Sequence, residues 1–110
     1  MSRSPFVVEA DVSVDDGTDP GALGAAVTTS LCGHWDHDGP CRWPHNNAVE
    51  GTTFRTVVVA PTDEEDEVRS RIEQALRSAQ GWDVHAIRAR ALLAAEQALA
   101  ERLAATPAPD

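Results

Sequence analysis

The stretch Thr52–Ala60, TTFRTVVVA, decides the fold class, because it is the clearest strand pattern in the chain. Its β-branched residues fit a pleated, packed surface. The unbroken valine run at positions 57–59 predicts burial on both faces, and therefore a central place in a sheet. Upstream, Pro5–Val14 alternates apolar and polar side chains, which predicts a second, half-buried strand. A short third strand is predicted around positions 43–49.

Helical patterns separate and follow these strands. Asp19 and Pro20 are typical of a helix start, and Gly33 of a helix end. A second helix is predicted from Thr62 to Gly81, because apolar residues recur there at helical spacing. Alanine and leucine residues after Asp83 predict a third helix, which would run to about position 105.

The resulting order, β-α-β-β-α-α, predicts an α+β fold. We expect a small three-stranded antiparallel or mixed sheet with helices on one face, equivalent to the first part of a ferredoxin-like layout. Residues 1–105 would form a single domain, and residues 106–110 a disordered tail. Because a small sheet leaves an unpaired edge, the chain is expected to form a homodimer.

Composition excludes several classes of function. The chain has 110 residues, a net charge of −9 and no lysine. Such an acidic protein repels nucleic-acid phosphates and anionic lipids, so neither a nucleic acid nor a membrane is an expected partner. The sequence contains no apolar run typical of a signal peptide or a membrane span, and we therefore expect a cytoplasmic protein.

The segment 32–47, CGHWDHDGPCRWPHNN, forms a loop that concentrates the reactive side chains. It holds both cysteines and three of the four histidines of the chain. Thiolate and imidazole groups together suit zinc, and also copper or nickel. The sequence thus predicts a transition-metal site, with Zn²⁺ as the expected ion, whose candidate ligands are Cys32, His34, His37, Cys41 and His45.

His45 is the hardest of these candidates to place. In an extended strand its α-carbon would stand about 13 Å from that of Cys41, too far to share one ion readily. A bend at Trp43-Pro44 would bring it to the metal. Otherwise it would point from the strand into a pocket, with Asn47 on the same face. Trp35, Trp43 and Asn47 are candidate walls of that pocket, which would hold a small molecule.

Three functions remain open from the sequence. The first is a metal-binding accessory or regulatory protein, with His85 as a possible additional ligand. The second is a small enzyme that uses Cys41 with His45, or a metal-bound water, on a small substrate. The third is a protein-interaction module that uses the last helix. Cys32 and Cys41 could also be free thiols or form a disulfide.

Overall fold

The computed structural model describes residues 3–32, 43–78 and 80–105, with Cys32 described at its backbone only. The elements, in chain order, are β1 (Arg3–Val14), α1 (Gly21–Cys32), β2 (His45–Glu50), β3 (Thr53–Pro61), α2 (Glu65–Ser78), β4 (Trp82–Arg90) and α3 (Gln97–Ala104). The α+β class is therefore confirmed. The predicted tail at 106–110 and most of the predicted loop lie outside the described residues. No helix within the described residues is long and apolar enough to cross a membrane.

The sheet has four strands in the order β2-β3-β1-β4, and all three neighbouring pairs are antiparallel. The prediction of three strands was therefore wrong, because β4 completes the sheet beside β1. With α1 and α2 as crossovers, the first six elements have the β-α-β-β-α-β order of a split βαβ layout. The valine-rich strand β3 lies between β2 and β1, which confirms its predicted central place.

β4 occupies residues that the sequence predicted as the start of the last helix. Its apolar alternation changes phase after Val84, because the pairing with β1 contains a bulge between Asp11 and Val12. Asp11 pairs with Ala86 and Val12 pairs with Val84, so His85 is the extra residue. The bulge interrupts the period-2 pattern of the strand. In addition, the alanine and arginine residues of this segment have high helix propensities. Within the predicted helix, only its end is helical: a short 3-10 turn at Ala94–Glu96 leads into α3.

One face of the sheet carries the main hydrophobic core. Phe6, Val8, Ala10 and Val12 project from β1 onto this face, and they pack with the apolar stripe of α2 and with α1. The stripe predicted for α2 is confirmed, since Val68, Ile72 and Leu76 are buried. At the start of α1, Asp19 accepts a hydrogen bond from the Gly21 amide at 2.9 Å, so the predicted capping role is confirmed.

The opposite face is partly covered by α3. Ala100 of α3 packs against Val7 and Val57, and Leu99 and Leu103 extend this smaller cluster. The expectation that helices lie on one face only was therefore wrong. The physical reason is that β1 and β3 are buried on both faces around Val7 and Val57, and this apolar patch needs a cover.

A two-residue turn joins β2 to β3. Glu50 pairs with Thr53, which leaves Gly51 and Thr52 as the connection. Gly51 has a φ of 60°, the conformation that the first central position of a type II′ hairpin turn requires. The turn fixes the register of the hairpin, and it thereby decides which side chains of β2 face α1.

Candidate functional site

His45, the first residue of β2, is the one ligand predicted in the segment 32–47 whose side chain lies within the described part of the chain. Its Nδ1 stands 2.9 Å from the Trp43 carbonyl oxygen, and its Nε2 stands 3.0 Å from the Thr28 hydroxyl. Because a carbonyl oxygen only accepts, Nδ1 carries the proton. In the neutral form of the ring, Nε2 is the atom that can accept a hydrogen bond from the Thr28 hydroxyl. The imidazole is therefore held in one tautomer and one orientation.

Asn47 continues this arrangement two residues along β2. Its Nδ2 donates to the Thr28 hydroxyl and to the Gly24 carbonyl oxygen, at 3.1 Å each. A Cβ on Gly24 would stand 3.2 Å from the Asn47 Cβ, so the glycine allows α1 to approach β2 closely. Hydrogen bonds thus run from Asn47 to Thr28, from Thr28 to His45, and from His45 to the Trp43 carbonyl. We call these side chains, Thr28, His45 and Asn47, the His45 cluster.

Two buried side-chain oxygens, one of which belongs to the His45 cluster, lack a hydrogen-bond partner among the described residues. They are Asn47 Oδ1 and Thr56 Oγ1. The two residues pair directly across β2 and β3, so their side chains share one face of the sheet. The interface between α1 and β2 is therefore polar, within an otherwise apolar core.

Trp43 connects the segment before β2 to α2 and to the turn that precedes α2. The side chain is 2% exposed, and its Nε1 donates to Glu64 Oε1 at 2.8 Å. The guanidinium carbon of Arg71 lies 5.0 Å from the centroid of the Trp43 ring, within cation–π range. Trp43 was predicted as a pocket wall, and the structure places it in the core. The second predicted wall, Trp35, lies outside the described residues.

The other predicted ligands are only partly described. Cys32 is the last residue of α1, and His34, His37 and Cys41 lie outside the described residues. Within the described ranges, no group of three or more His, Cys, Asp or Glu side chains could hold a metal ion. His85 contacts the Ser13 hydroxyl from β4, at the opposite edge of the sheet from β2. It therefore lies away from His45.

A second polar feature lies on the α3 face, and sequence reasoning missed it. Three arginines and three carboxylates from β1, β3, β4 and the turn before α3 form connected ion pairs. Arg88 bridges Glu9 and Asp11, Arg90 bridges Glu9 and Glu96, and Arg55 also reaches Glu96. We call this set the arginine–carboxylate network: Glu9, Asp11, Arg55, Arg88, Arg90 and Glu96.

Glu96 is the centre of this network and the best-buried carboxylate in it. The residue is 5% exposed, and its oxygens accept from Arg55 Nη1 at 3.0 Å, from Arg90 Nη1 and Nη2 at 2.8 and 3.0 Å, and from the Leu93 amide at 2.9 Å. These bonds, above all those from Arg90, outweigh burial and lower the pKa of Glu96 to about 2. The hydrogen bonds that Arg90 donates to Glu96, and the one to Glu9, raise the pKa of Arg90.

The solvent-exposed end of the network shows a weaker version of the same effect. The hydrogen bond from Arg88 lowers the pKa of Asp11, and the bonds to Asp11 and Glu9 raise the pKa of Arg88. The sequence does carry a signal for this pairing. Two acids stand two residues apart in β1, two arginines stand two residues apart in β4, and period 2 places each set on one face. Because these residues were predicted as a helix, the pairing between the acids of β1 and the arginines of β4 was not predicted.

Comparison with known proteins identifies no relative of this chain. No protein-family model, curated protein or solved structure matches this chain. The function is therefore argued from the residues and their geometry alone.

Proposed function

We propose that the protein is a small accessory or regulatory protein that binds a transition metal, zinc by preference, through the Cys/His-rich segment between Cys32 and His45. The observation that carries the proposal is the hydrogen bonding of the His45 ring. Metal-bound histidines commonly donate their second ring N–H to a carbonyl or carboxylate, which orients the ring and fixes its tautomer. The bond from His45 Nδ1 to the Trp43 carbonyl is of this type, and it leaves Nε2 as the basic nitrogen.

The position of the two ends of the segment supports the same proposal. Thr28 contacts His45, and Cys32 follows Thr28 by four residues in α1, a spacing that returns to the same side of a helix. A segment that begins at Cys32 and ends at His45 therefore starts and finishes close to the same α1–β2 contact. In the proposed holo state, Nε2 would exchange the Thr28 hydroxyl for the ion, and Thr28 would keep its bond from Asn47.

Binding of the ion would also contribute to folding. The segment 33–42 contains two glycines, one proline and few apolar side chains, so it has little means of ordering itself by burial. A metal that binds only the folded arrangement stabilises it by mass action. We further propose a cytoplasmic location, where cysteines remain reduced and available as ligands.

A homodimer remains part of the proposal. β2 and β4 are the edge strands of the described sheet, and edge strands are sites of pairing unless charge, bulges or cover prevent it. The α3 helix is a weaker candidate for the interface, since Ala100 already packs on the chain's own sheet. Light scattering coupled to size-exclusion chromatography measures the mass directly. A mass equal to the 11.8 kDa chain would contradict the dimer.

The metal proposal is tested by elemental analysis of untagged protein, with thermal unfolding measured in zinc and in a chelator. We expect near-stoichiometric metal and a clear rise in Tm with zinc. His45→Gln and Cys41→Ala should each reduce both. His85→Gln is the matched control, because His85 lies at the far edge of the sheet, and it should reduce neither. Metal-free protein that zinc does not stabilise would contradict the proposal, whatever the variants do.

A further inference from the structure

A groove on the α3 face is separate from the proposed metal site. The β2–β3 hairpin forms one side, and the turn that leads into α3 forms the other. Its volume is about 420 Å³, within the range of small-molecule sites. Arg55 of this groove and His45 lie on opposite faces of the sheet, since His45 pairs with Val58 and Arg55 stands three residues earlier in β3. Binding in the groove would therefore not depend on metal binding at His45.

Arg55 is the cation with unused hydrogen-bonding capacity in this groove. Arg90 donates to Glu9, to both oxygens of Glu96 and to the Ala91 carbonyl, so its donors are nearly all engaged. Arg55, among the described residues, donates one hydrogen bond, from Nη1 to Glu96. A guanidinium group carries five N–H donors in a planar fork that matches a carboxylate. The side chain of Arg55 is 21% exposed and lines the groove, so part of the fork is available to a ligand.

Glu50 supplies the opposite charge. It lines the same groove, is exposed, and has no ion-pair partner in the part of the chain that the structure describes. Glu50 pairs with Thr53 and Ala48 pairs with Arg55, so Glu50 and Arg55 are diagonal neighbours on one face. A plain anion in the groove would meet the repulsion of Glu50, and a plain cation would meet that of Arg55. A molecule with both charges would satisfy both residues.

An apolar wall completes the groove. Leu93 is 58% exposed, the one large hydrophobic side chain among the described residues that is exposed, and it lines the groove with Ala48 and Ala95. Burial of such a side chain against an apolar ligand group is favourable, because it removes apolar surface from water. We propose that this groove binds a free α-amino acid with an apolar side chain, its carboxylate on Arg55, its ammonium on Glu50 and its side chain against Leu93.

The test is a ¹H–¹⁵N NMR titration of the full chain with L-leucine and L-phenylalanine, to about 10 mM each, well above a Kd of about 1 mM. We expect saturable shifts of the amides at positions 48–55 and 93–95. Two leucine analogues separate the charges: 4-methylpentanoate lacks the amine, and isoamylamine lacks the carboxylate. Each should bind at least about tenfold more weakly than leucine.

Variants assign the roles of the two charged residues. Glu50→Gln should weaken leucine by at least about tenfold and leave 4-methylpentanoate unweakened, because it removes repulsion from that anion. Arg55→Lys, which keeps the charge and loses the fork, should weaken leucine as well. Glu73→Gln, on α2, should change nothing. The proposal is overturned if neither amino acid shifts these amides, or if 4-methylpentanoate binds as well as leucine.

Discussion

Replacement of Glu96 by glutamine is expected to lower the free energy of unfolding by about 3 kcal/mol at neutral pH. Glu96 accepts hydrogen bonds from Arg55, Arg90 and the Leu93 amide while it is 5% exposed. The hydrogen bonds from Arg90, above all, hold its pKa at about 2, below the ordinary value of 4.5. At about 1.36 kcal/mol for each tenfold change in the proton-binding constant, this difference in pKa corresponds to about 3 kcal/mol. Breaking one partner of a buried ion pair has a cost of similar size.

The pH dependence makes this prediction specific. A carboxylate whose pKa is depressed in the folded state stabilises that state above its unfolded pKa, here 4.5. The contribution falls as the pH drops through about 2, where the folded carboxylate takes up its proton. The stabilities of the wild-type and variant proteins should therefore differ fully at pH 6 and converge as the pH approaches 2.

Urea unfolding, followed by tryptophan fluorescence, measures both effects. Trp43 and Trp82 are buried in the main core and report its loss. Glu73→Gln is the matched control, since Glu73 forms an exposed i,i+4 pair with Arg77, and it should cost below about 0.5 kcal/mol. A stability difference for Glu96→Gln that is the same at pH 6 and pH 2.5 would refute the reasoning. So would a cost no larger than that of the control.

Three further predictions concern stability. Leu76→Ala should lower the free energy of unfolding, measured by chemical denaturation, by about 3 kcal/mol, because Leu76 is 1% exposed in the main core. A decrease below about 1 kcal/mol would show that the core is less tightly packed than described. Gly51→Ala should cost about 1 kcal/mol, because only glycine takes a φ of 60° there without strain; an unchanged Tm would contradict the turn assignment. Gly24→Val should separate α1 from β2, because a side chain at position 24 would meet Asn47. Faster amide exchange at Ala48, which pairs with Arg55 of β3, with little change in α3, would show it.

The polar groups of this small protein are divided between the two faces of its sheet. The His45 cluster lies at the α1–β2 contact, and the arginine–carboxylate network lies on the α3 face. Buried ion pairs add little net stability compared with apolar packing, but they require a definite geometry. Here the network fixes how the turn before α3 sits against β3 and β4, and it thereby shapes the groove beside Arg55.

The sequence by itself determined those elements in which apolar side chains recur at one regular spacing without interruption. β1 and β3 show their alternation or valine run directly, and α2 shows a stripe at Val68, Ile72 and Leu76, since these patterns depend only on local geometry and burial. It also supplied the candidate metal ligands, because thiols and imidazoles in one short segment are a chemical signal that needs no fold.

Only the tertiary structure decided the rest. The residues after Asp83 were predicted as a helix. They belong to β4 because pairing with β1 buries Trp82, partly buries Val84, and matches Arg88 and Arg90 to the acids of β1. A bulge at His85 breaks the period that would have revealed the strand. The contact between His45 and Thr28 joins residues 17 positions apart. Long-range pairing of this kind depends on how the elements pack, and no local pattern encodes it.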